Sequence, residues 1–211
     1  MGLFSYKSKT KNDSDIKTIL YDKFIDNSND WLNPDHNDLP FLQRIENETL
    51  YLESASDEMG VIASTKFKID YSKDFQIETK VKIQSDSDDC YMSFDFGIRK
   101  IENAIRNISG QKIPTTLGDI NYFIGYSDSQ EVLIAKWKKG KEKYFFREYV
   151  DLIQVDDFNV ILISKSGKMI SYYINNSLIY SKRFEKFPGD GFGFATSPNG
   201  KLWVEYIKIE N

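Results

Sequence analysis

The alternation of apolar and polar side chains over residues 74–83 is the feature that most limits what this chain can fold into. In the run DFQIETKVKI, every second position from Phe75 to Ile83 is apolar or threonine, and the positions between carry Gln, Glu or Lys. Successive side chains of a β-strand point to opposite faces of its sheet, so this period of two predicts a half-buried antiparallel strand. The run YMSFDFGI, residues 91–98, has the same period. Both runs therefore predict sheets with one face in the core.

Further strand-like runs follow at short intervals along the chain, among them TLYLES, INYFIGYS, EVLIAKW, NVILISK, MISYYIN and LWVEYIKI. Ser166-Gly167, Asn175-Asn176 and Asn199-Gly200 stand between neighbouring runs, where hairpin turns favour such residues. About a dozen short strands separated by turns are typical of a sandwich or jelly roll. The sequence predicts an all-β fold of two antiparallel sheets.

One insertion, at about residues 99–119, breaks this pattern. Ile101, Ala104, Ile105 and Ile108 fall at i, i+3, i+4 and i+7, and Gly110 follows them. That spacing predicts a short amphipathic helix over residues 100–109. Such a helix would either cover an open sheet edge or bind a partner protein. The candidate partner-binding residues are Ile101, Ile105, Arg106 and Ile108.

The length of 211 residues suits one larger all-β domain. Residues 1–15 are polar and mixed in charge, which predicts a flexible arm. The sequence of residues 16–211 contains no repeat, low-complexity tract or linker composition that would divide it. We therefore expect a single domain over residues 16–211.

The charge balance argues against a nucleic-acid partner. Lys and Arg number 28 against 32 Asp and Glu, which gives a net charge of -4 and no basic field for phosphate groups. Cys90 is the single cysteine, and a lone thiol is typical of a reducing compartment. The sequence has neither an apolar leader nor an apolar run of ~20 residues, so we expect a cytoplasmic protein without a membrane span. An exported protein is the alternative if a leader has been removed.

The second half of the chain carries a family resemblance. DFNVILISKSGKMISYYINNSLIYSKRF, residues 157–184, leads into GDGFGFATSPNGKLWVEYIKIEN, residues 189–211. Together with the early strand KDFQIETKVKI, these runs resemble the concanavalin A-like lectin/glucanase superfamily, particularly its laminin G-like jelly-roll domains. The resemblance implies a two-sheet jelly-roll sandwich whose concave groove binds glycans. It depends on strand patterns, so it bears on the fold more than on the function.

The residues that catalyse glycan cleavage in this superfamily are missing from the sequence. Its glucanases carry an E-x-D-x-x-E strand, which sets two carboxylates beside the glycosidic bond, and this chain has no such motif. His36 is the single histidine and lies in a loop-like segment. These features argue against an enzyme, and a glycoside hydrolase with an atypical carboxylate pair is the alternative.

A glycan site needs flat aromatic faces and a few polar groups that fix the sugar hydroxyls. The alternation of residues 91–98 places Tyr91, Ser93, Asp95 and Arg99 on the face opposite the core. The resemblance implies that this face lines the concave groove, with Trp137 at its flank. We take these five as candidate ligand-binding residues, and the leading function is non-catalytic binding of a glycan or glycoconjugate.

Two further hypotheses remain open at this stage. The loop QSDSDDC offers Asp86, Asp88 and Asp89 as oxygen ligands for calcium, although calcium takes six to eight oxygens and one short loop supplies only some. A solvated hairpin loop is the alternative for that segment. The insertion suggests a protein-interaction or scaffold module of a cytoplasmic assembly as the alternative function.

Overall fold

In a computed structural model the chain forms an all-β sandwich. The structure describes residues 17–32, 41–58, 60–85, 90–99, 105–108, 111–114, 120–138 and 141–211. Within these ranges it has sixteen strands and no helix. The strands are β1 (Thr18–Asp22), β2 (Phe41–Glu46), β3 (Thr49–Ser54), β4 (Val61–Ser64), β5 (Phe75–Ser85), β6 (Tyr91–Ile98), β7 (Ile105–Ile108), β8 (Gln111–Pro114), β9 (Ile120–Ser127), β10 (Glu131–Lys138), β11 (Lys141–Tyr149), β12 (Asn159–Ser166), β13 (Met169–Ile174), β14 (Ser177–Arg183), β15 (Gly191–Thr196) and β16 (Gly200–Glu210).

Two antiparallel sheets carry nearly all of these strands. The eight-stranded sheet has the order β14-β13-β12-β5-β16-β3-β2, with β1 also paired to β16. The six-stranded sheet has the order β11-β10-β9-β6-β15-β4. Hairpin pairs alternate with pairs that are distant in sequence, as in β5 with β12 and β16, which is the connectivity of a jelly roll. The predicted two-sheet antiparallel fold is confirmed.

The core lies between the two sheets and is rich in aromatic rings. On β5 every second residue from Phe75 to Ile83 is buried, as the alternation predicts. On the six-stranded sheet Phe94, Phe96 and Phe194 point inward and are fully buried. Because each aromatic side chain removes a large apolar area from water, this layer supplies much of the folding free energy. The opposite face of the six-stranded sheet remains available for another role.

The polar segment after β1 is built around a buried carboxylate. The side chain of Asp22 accepts hydrogen bonds from the Trp31 indole N–H, the Asn29 amide and the backbone N–H of Phe24, each at 2.7 Å. Trp31 is 1% exposed and packs against Phe24 and Phe192. This segment therefore anchors the chain to the core.

The predicted helix over residues 100–109 is wrong where the structure describes the insertion. β7 and β8 instead form a two-stranded antiparallel hairpin in which Ile105 pairs with Pro114 and Ile108 with Gln111. The spacing of the isoleucines fits a helix, but a short apolar run is ambiguous and β-branched residues favour strands. Ser109-Gly110, between the two strands in sequence, is a dipeptide typical of a hairpin loop. The arm at residues 1–15 lies outside the described residues.

Candidate functional site

A cavity of about 420 Å³ opens on the outer face of the six-stranded sheet. Alternation along β6 builds it, because Met92 and Phe94 point into the core while Tyr91, Ser93 and Asp95 point out and line the cavity. The neighbouring strands β9, β10, β11 and β15 supply the other lining residues. A cavity of this volume is within the range of ~300–1,000 Å³ that small-molecule sites occupy.

The floor of the cavity is polar. The side chain of Asp95 lies there and is 4% exposed. The Ser93 hydroxyl donates a hydrogen bond to Asp95 Oδ1 at 3.2 Å, and the buried side chain of Asn121 on β9 also bonds to the carboxylate. Burial disfavours the charged form and raises the pKa of Asp95 to about 7, although both hydrogen bonds act in the opposite direction. In the described part of the chain this carboxylate has no ion-pair partner.

Aromatic and apolar side chains form one wall. Trp137 on β10 lies between Asn121 on β9 and Glu142 on β11 in the strand register, so it stands beside the polar floor. Tyr144 on β11 lines the same side, and its hydroxyl donates a hydrogen bond to Glu142. Phe123 lies directly opposite Asp95 across the β6–β9 pair. Flat rings therefore stand on one side of an acceptor group at the floor.

An ion pair fixes the rim. The Arg147 guanidinium donates from Nε to Glu131 Oε1 at 2.8 Å and from Nη2 to Oε2 at 3.1 Å. The Tyr91 hydroxyl donates a hydrogen bond to the same carboxylate, and Arg147, first, and then Tyr91 lower the pKa of Glu131. The guanidinium also lies 5.4 Å from the centre of the Tyr144 ring. This network holds two aromatic lining residues in place.

The opposite wall comes from the end of β15. The backbone N–H of Tyr91 donates to Ser197 Oγ at 3.0 Å, and the backbone N–H of Ser197 donates to the Tyr91 carbonyl at 2.8 Å. Ala195 and Thr196 complete this side. The wall is thus small and polar where the first is aromatic, and the cavity has two chemically different sides.

Four of the five candidate ligand residues surround this one cavity. Tyr91, Ser93, Asp95 and Trp137 all line it. Arg99 is not among the lining residues. Gly97 has a positive φ of 63° and the β6–β15 register shifts next to it, so the alternation ends before Arg99, which is exposed after the strand. Ligand binding by any of these residues stays a prediction.

The sequence did not reveal the lining residues of β9 and β11. Asn121, Glu142 and Arg147 reach the cavity only through the pairing of β9, β10 and β11. The sequence of β11, KEKYFFREY, lacks a clean alternation of apolar and polar residues and is mostly exposed, so on its own it does not indicate which side chains line a site. The usable signal was the opposite charge of Glu131 and Arg147 on two strands joined as a hairpin.

The candidate calcium ligands Asp86, Asp88 and Asp89 lie outside the described residues, so calcium binding stays a prediction. Within the described ranges no group of three or more His, Cys, Asp or Glu side chains is placed to hold a metal ion. Ile101 also lies outside these ranges, and Ile105, Arg106 and Ile108 belong to β7. The described residues contain no helix that is long and apolar enough to cross a membrane.

Comparison with known proteins identifies the fold. No protein-family model matches the chain, and no curated protein matches it in sequence. The carbohydrate-binding module CBM66 from Bacillus subtilis superposes with a TM-score of 0.59 at 12% identity, covering 83% of this chain and 98% of that one. LamAcat from Zobellia galactanivorans superposes with a TM-score of 0.61 at 8% identity, covering 92% and 97%. The catalytic domain of an endo-1,3-beta-glucanase (laminarinase) from Thermotoga petrophila RKU-1 gives 0.59 at 12% identity, covering 93% and 98%.

These neighbours confirm the concanavalin A-like jelly-roll fold. At 8–12% identity they define the architecture, and the chemistry of the cavity has to be argued from its own residues.

Proposed function

We propose that this protein binds a glycan in the cavity of the six-stranded sheet and does not cleave it. The observation that carries the proposal is one cavity lined by both the buried carboxylate of Asp95 and the indole of Trp137. A sugar ring presents C–H groups that pack on aromatic faces and hydroxyls that donate to acceptors. Both kinds of contact are available here within one cavity.

The fold supports the same class of ligand. The structural neighbours include a protein named as a carbohydrate-binding module and proteins named as glucanases. The carbohydrate-binding module supports a binding role. We therefore favour a sugar over other small polar molecules.

The placement of the carboxylates favours binding over hydrolysis. Glycosidases hold two carboxyl groups roughly 5–10 Å apart across the scissile bond. Glu142 lies on β11, three strands from Asp95 on β6, so their backbones are roughly 14 Å apart at the usual strand spacing. Glu131 is two strands away and is already paired with Arg147. The wide backbone separation of Glu142 and the ion pair of Glu131 support binding over hydrolysis in this proposal.

A glycan array followed by titration calorimetry tests the proposal. Trp137→Ala should weaken binding of the best array ligand at least tenfold, about 1.4 kcal/mol, because the ring platform is lost. Trp203→Ala is the matched control: Trp203 is also half-buried, and it lies on β16 of the other sheet, beside Tyr51 and Lys82. An array that stays silent with and without calcium, or equal losses in the two variants, would overturn the proposal.

The same samples address the alternatives. Release of reducing ends from an array ligand, abolished by Asp95→Asn, would indicate a hydrolase. A protein captured through the segment 99–119, with a silent array, would favour the interaction module. Binding of intact glycan is the result we expect.

A further inference from the structure

Among the described residues at the cavity and its rim, acidic side chains outnumber cationic ones. The neighbours of Asp95 at the floor, Ser93 and Asn121, are neutral. The one cation among the lining residues, Arg147, is held by Glu131 through two hydrogen bonds. Glu142 adds a second carboxylate at the rim, where it accepts a hydrogen bond from the Tyr144 hydroxyl. The cavity is therefore anionic.

This charge distribution discriminates between sugars. A carboxylate buried without a cation carries a desolvation cost, which a ligand hydroxyl reduces only through a hydrogen bond. An ammonium group offers both a hydrogen bond and the opposite charge, and charge-assisted hydrogen bonds are about twice as strong as neutral ones. The rings of Trp137 and Tyr144 add to this preference, because aromatic faces attract cations.

We propose that the sugar unit bound in the cavity carries a free amino group, whose ammonium pairs with Asp95. This inference rests on the proposed function and narrows it to glycans that contain unacetylated amino sugars. Neutral and N-acetylated sugars fit the aromatic wall but leave the carboxylate uncompensated. The preference should therefore depend on Asp95 and on its ionisation.

The pH dependence has a defined sign. Burial raises the pKa of Asp95 to about 7, so acidification from pH 7 to pH 5 neutralises it. Of the strands that face it, β9 and β15 bring no charged group to the lining, whereas β10 and β11 bring Glu131, Glu142 and Arg147 to the cavity and its rim. Arg147 lowers the pKa of Glu131, so that pair stays ionised over this range. Acidification only increases the protonation of the ligand amine, so a loss of affinity below pH 7 would report on Asp95.

Three β-1,4-linked tetrasaccharides of equal length test the inference: those of glucosamine, N-acetylglucosamine and glucose. Calorimetry at pH 7 should show the glucosamine tetrasaccharide binding at least tenfold more tightly than the other two. At pH 5 its affinity should fall at least fivefold, while affinities for the neutral pair stay constant. Asp95→Asn should remove the preference and its pH dependence.

Two variants control for charge alone. Asp151→Asn makes the same charge change at an exposed position outside the cavity and should leave the preference intact. Glu142→Gln should reduce it by less than Asp95→Asn does. Equal binding of all three tetrasaccharides, or a preference that survives Asp95→Asn, overturns this inference and leaves glycan binding standing. Absence of binding to these sugars and to the whole array overturns both.

Discussion

Asp22 and Asp95 are both buried aspartates, with exposed fractions of 7% and 4%, but they differ in the hydrogen bonds that they accept. Three N–H groups, including the Trp31 indole, donate to Asp22 at 2.7 Å. Asp95 receives a hydroxyl at 3.2 Å and the amide of Asn121, and it faces a cavity. The carboxylate of Asp22 accepts hydrogen bonds from buried donors of its own chain, whereas the carboxylate of Asp95 can accept further hydrogen bonds from a ligand in the cavity.

The number and length of these hydrogen bonds distinguish a structural carboxylate from a candidate functional one in this fold. Buried polar atoms are almost always hydrogen-bonded, so a fully bonded carboxylate needs no further explanation. A weakly hydrogen-bonded carboxylate whose pKa rises to about 7 does need an explanation, and a bound ligand would supply it. If this is correct, removing Asp22 should damage stability, and removing Asp95 should damage binding alone.

The largest effect should follow Asp22→Ala. The substitution leaves the Trp31 indole N–H, the Phe24 backbone N–H and the Asn29 amide without their acceptor, and each unsatisfied buried donor costs about 1–3 kcal/mol. We expect the free energy of unfolding to fall by roughly 3–5 kcal/mol, measured by urea denaturation. A loss below about 1 kcal/mol would show that water replaces the carboxylate, and the contrast with Asp95 would fail.

Asp95→Asn should increase the free energy of unfolding at high pH, in contrast to Asp22→Ala. The folded-state pKa of Asp95, about 7, lies above its ordinary value of 3.8, so ionisation is harder in the folded protein. Its contribution is therefore fully present below about pH 4 and is lost as pH rises through 7, by up to about 4 kcal/mol.

Urea denaturation of both proteins at pH 4 and pH 8 measures this contribution. The Asn variant should lack the loss of unfolding free energy that ionisation of Asp95 causes. It should match the wild type in stability near pH 4 and exceed it at pH 8. Parallel pH profiles of the two proteins would contradict the raised pKa.

An intermediate effect is expected at Phe123, which faces Asp95 across the β6–β9 pair. Phe123→Leu keeps an apolar side chain but removes a flat ring from the wall. We expect a threefold to tenfold loss of glycan affinity, with about 1 kcal/mol or less of stability lost because the residue is on the outer face. Calorimetry and urea denaturation of one sample measure both. A stability loss with unchanged affinity would assign the ring to the core.

The alternation of the sequence was sufficient for much of this fold. Every second residue of β5 is buried, and the same rule placed Tyr91, Ser93 and Asp95 together on one outer face. Periodicity within one strand is a local property, so it can be read without the rest of the chain. The rule failed at Arg99, because Gly97 and a register shift interrupt the strand there.

The remaining parts of the site depend on pairing between strands. Asn121 and Glu142 line the same cavity as Asp95 only because β9, β10 and β11 follow β6 in the sheet, and no local pattern specifies that order. The segment around Ile105 shows the converse error, since its helical spacing described residues that form a hairpin. Long-range pairing accounts for the first, and the second follows from the ambiguity of a short apolar run rich in β-branched residues.

The smallest effect on stability should come from Arg147→Met. Its ion pair with Glu131 is half-exposed, so water replaces the lost hydrogen bonds at little cost, unlike the donors around Asp22. We expect the melting temperature to fall by at most about 3 °C. Glycan affinity should fall severalfold, because the carboxylate that accepts from Tyr91 loses its anchor and the contact with Tyr144 disappears. Arg147→Lys keeps the charge without the two-pronged geometry and should recover only part of the affinity. Full recovery by Lys would mean that charge, and not the fixed rim, is what Arg147 supplies.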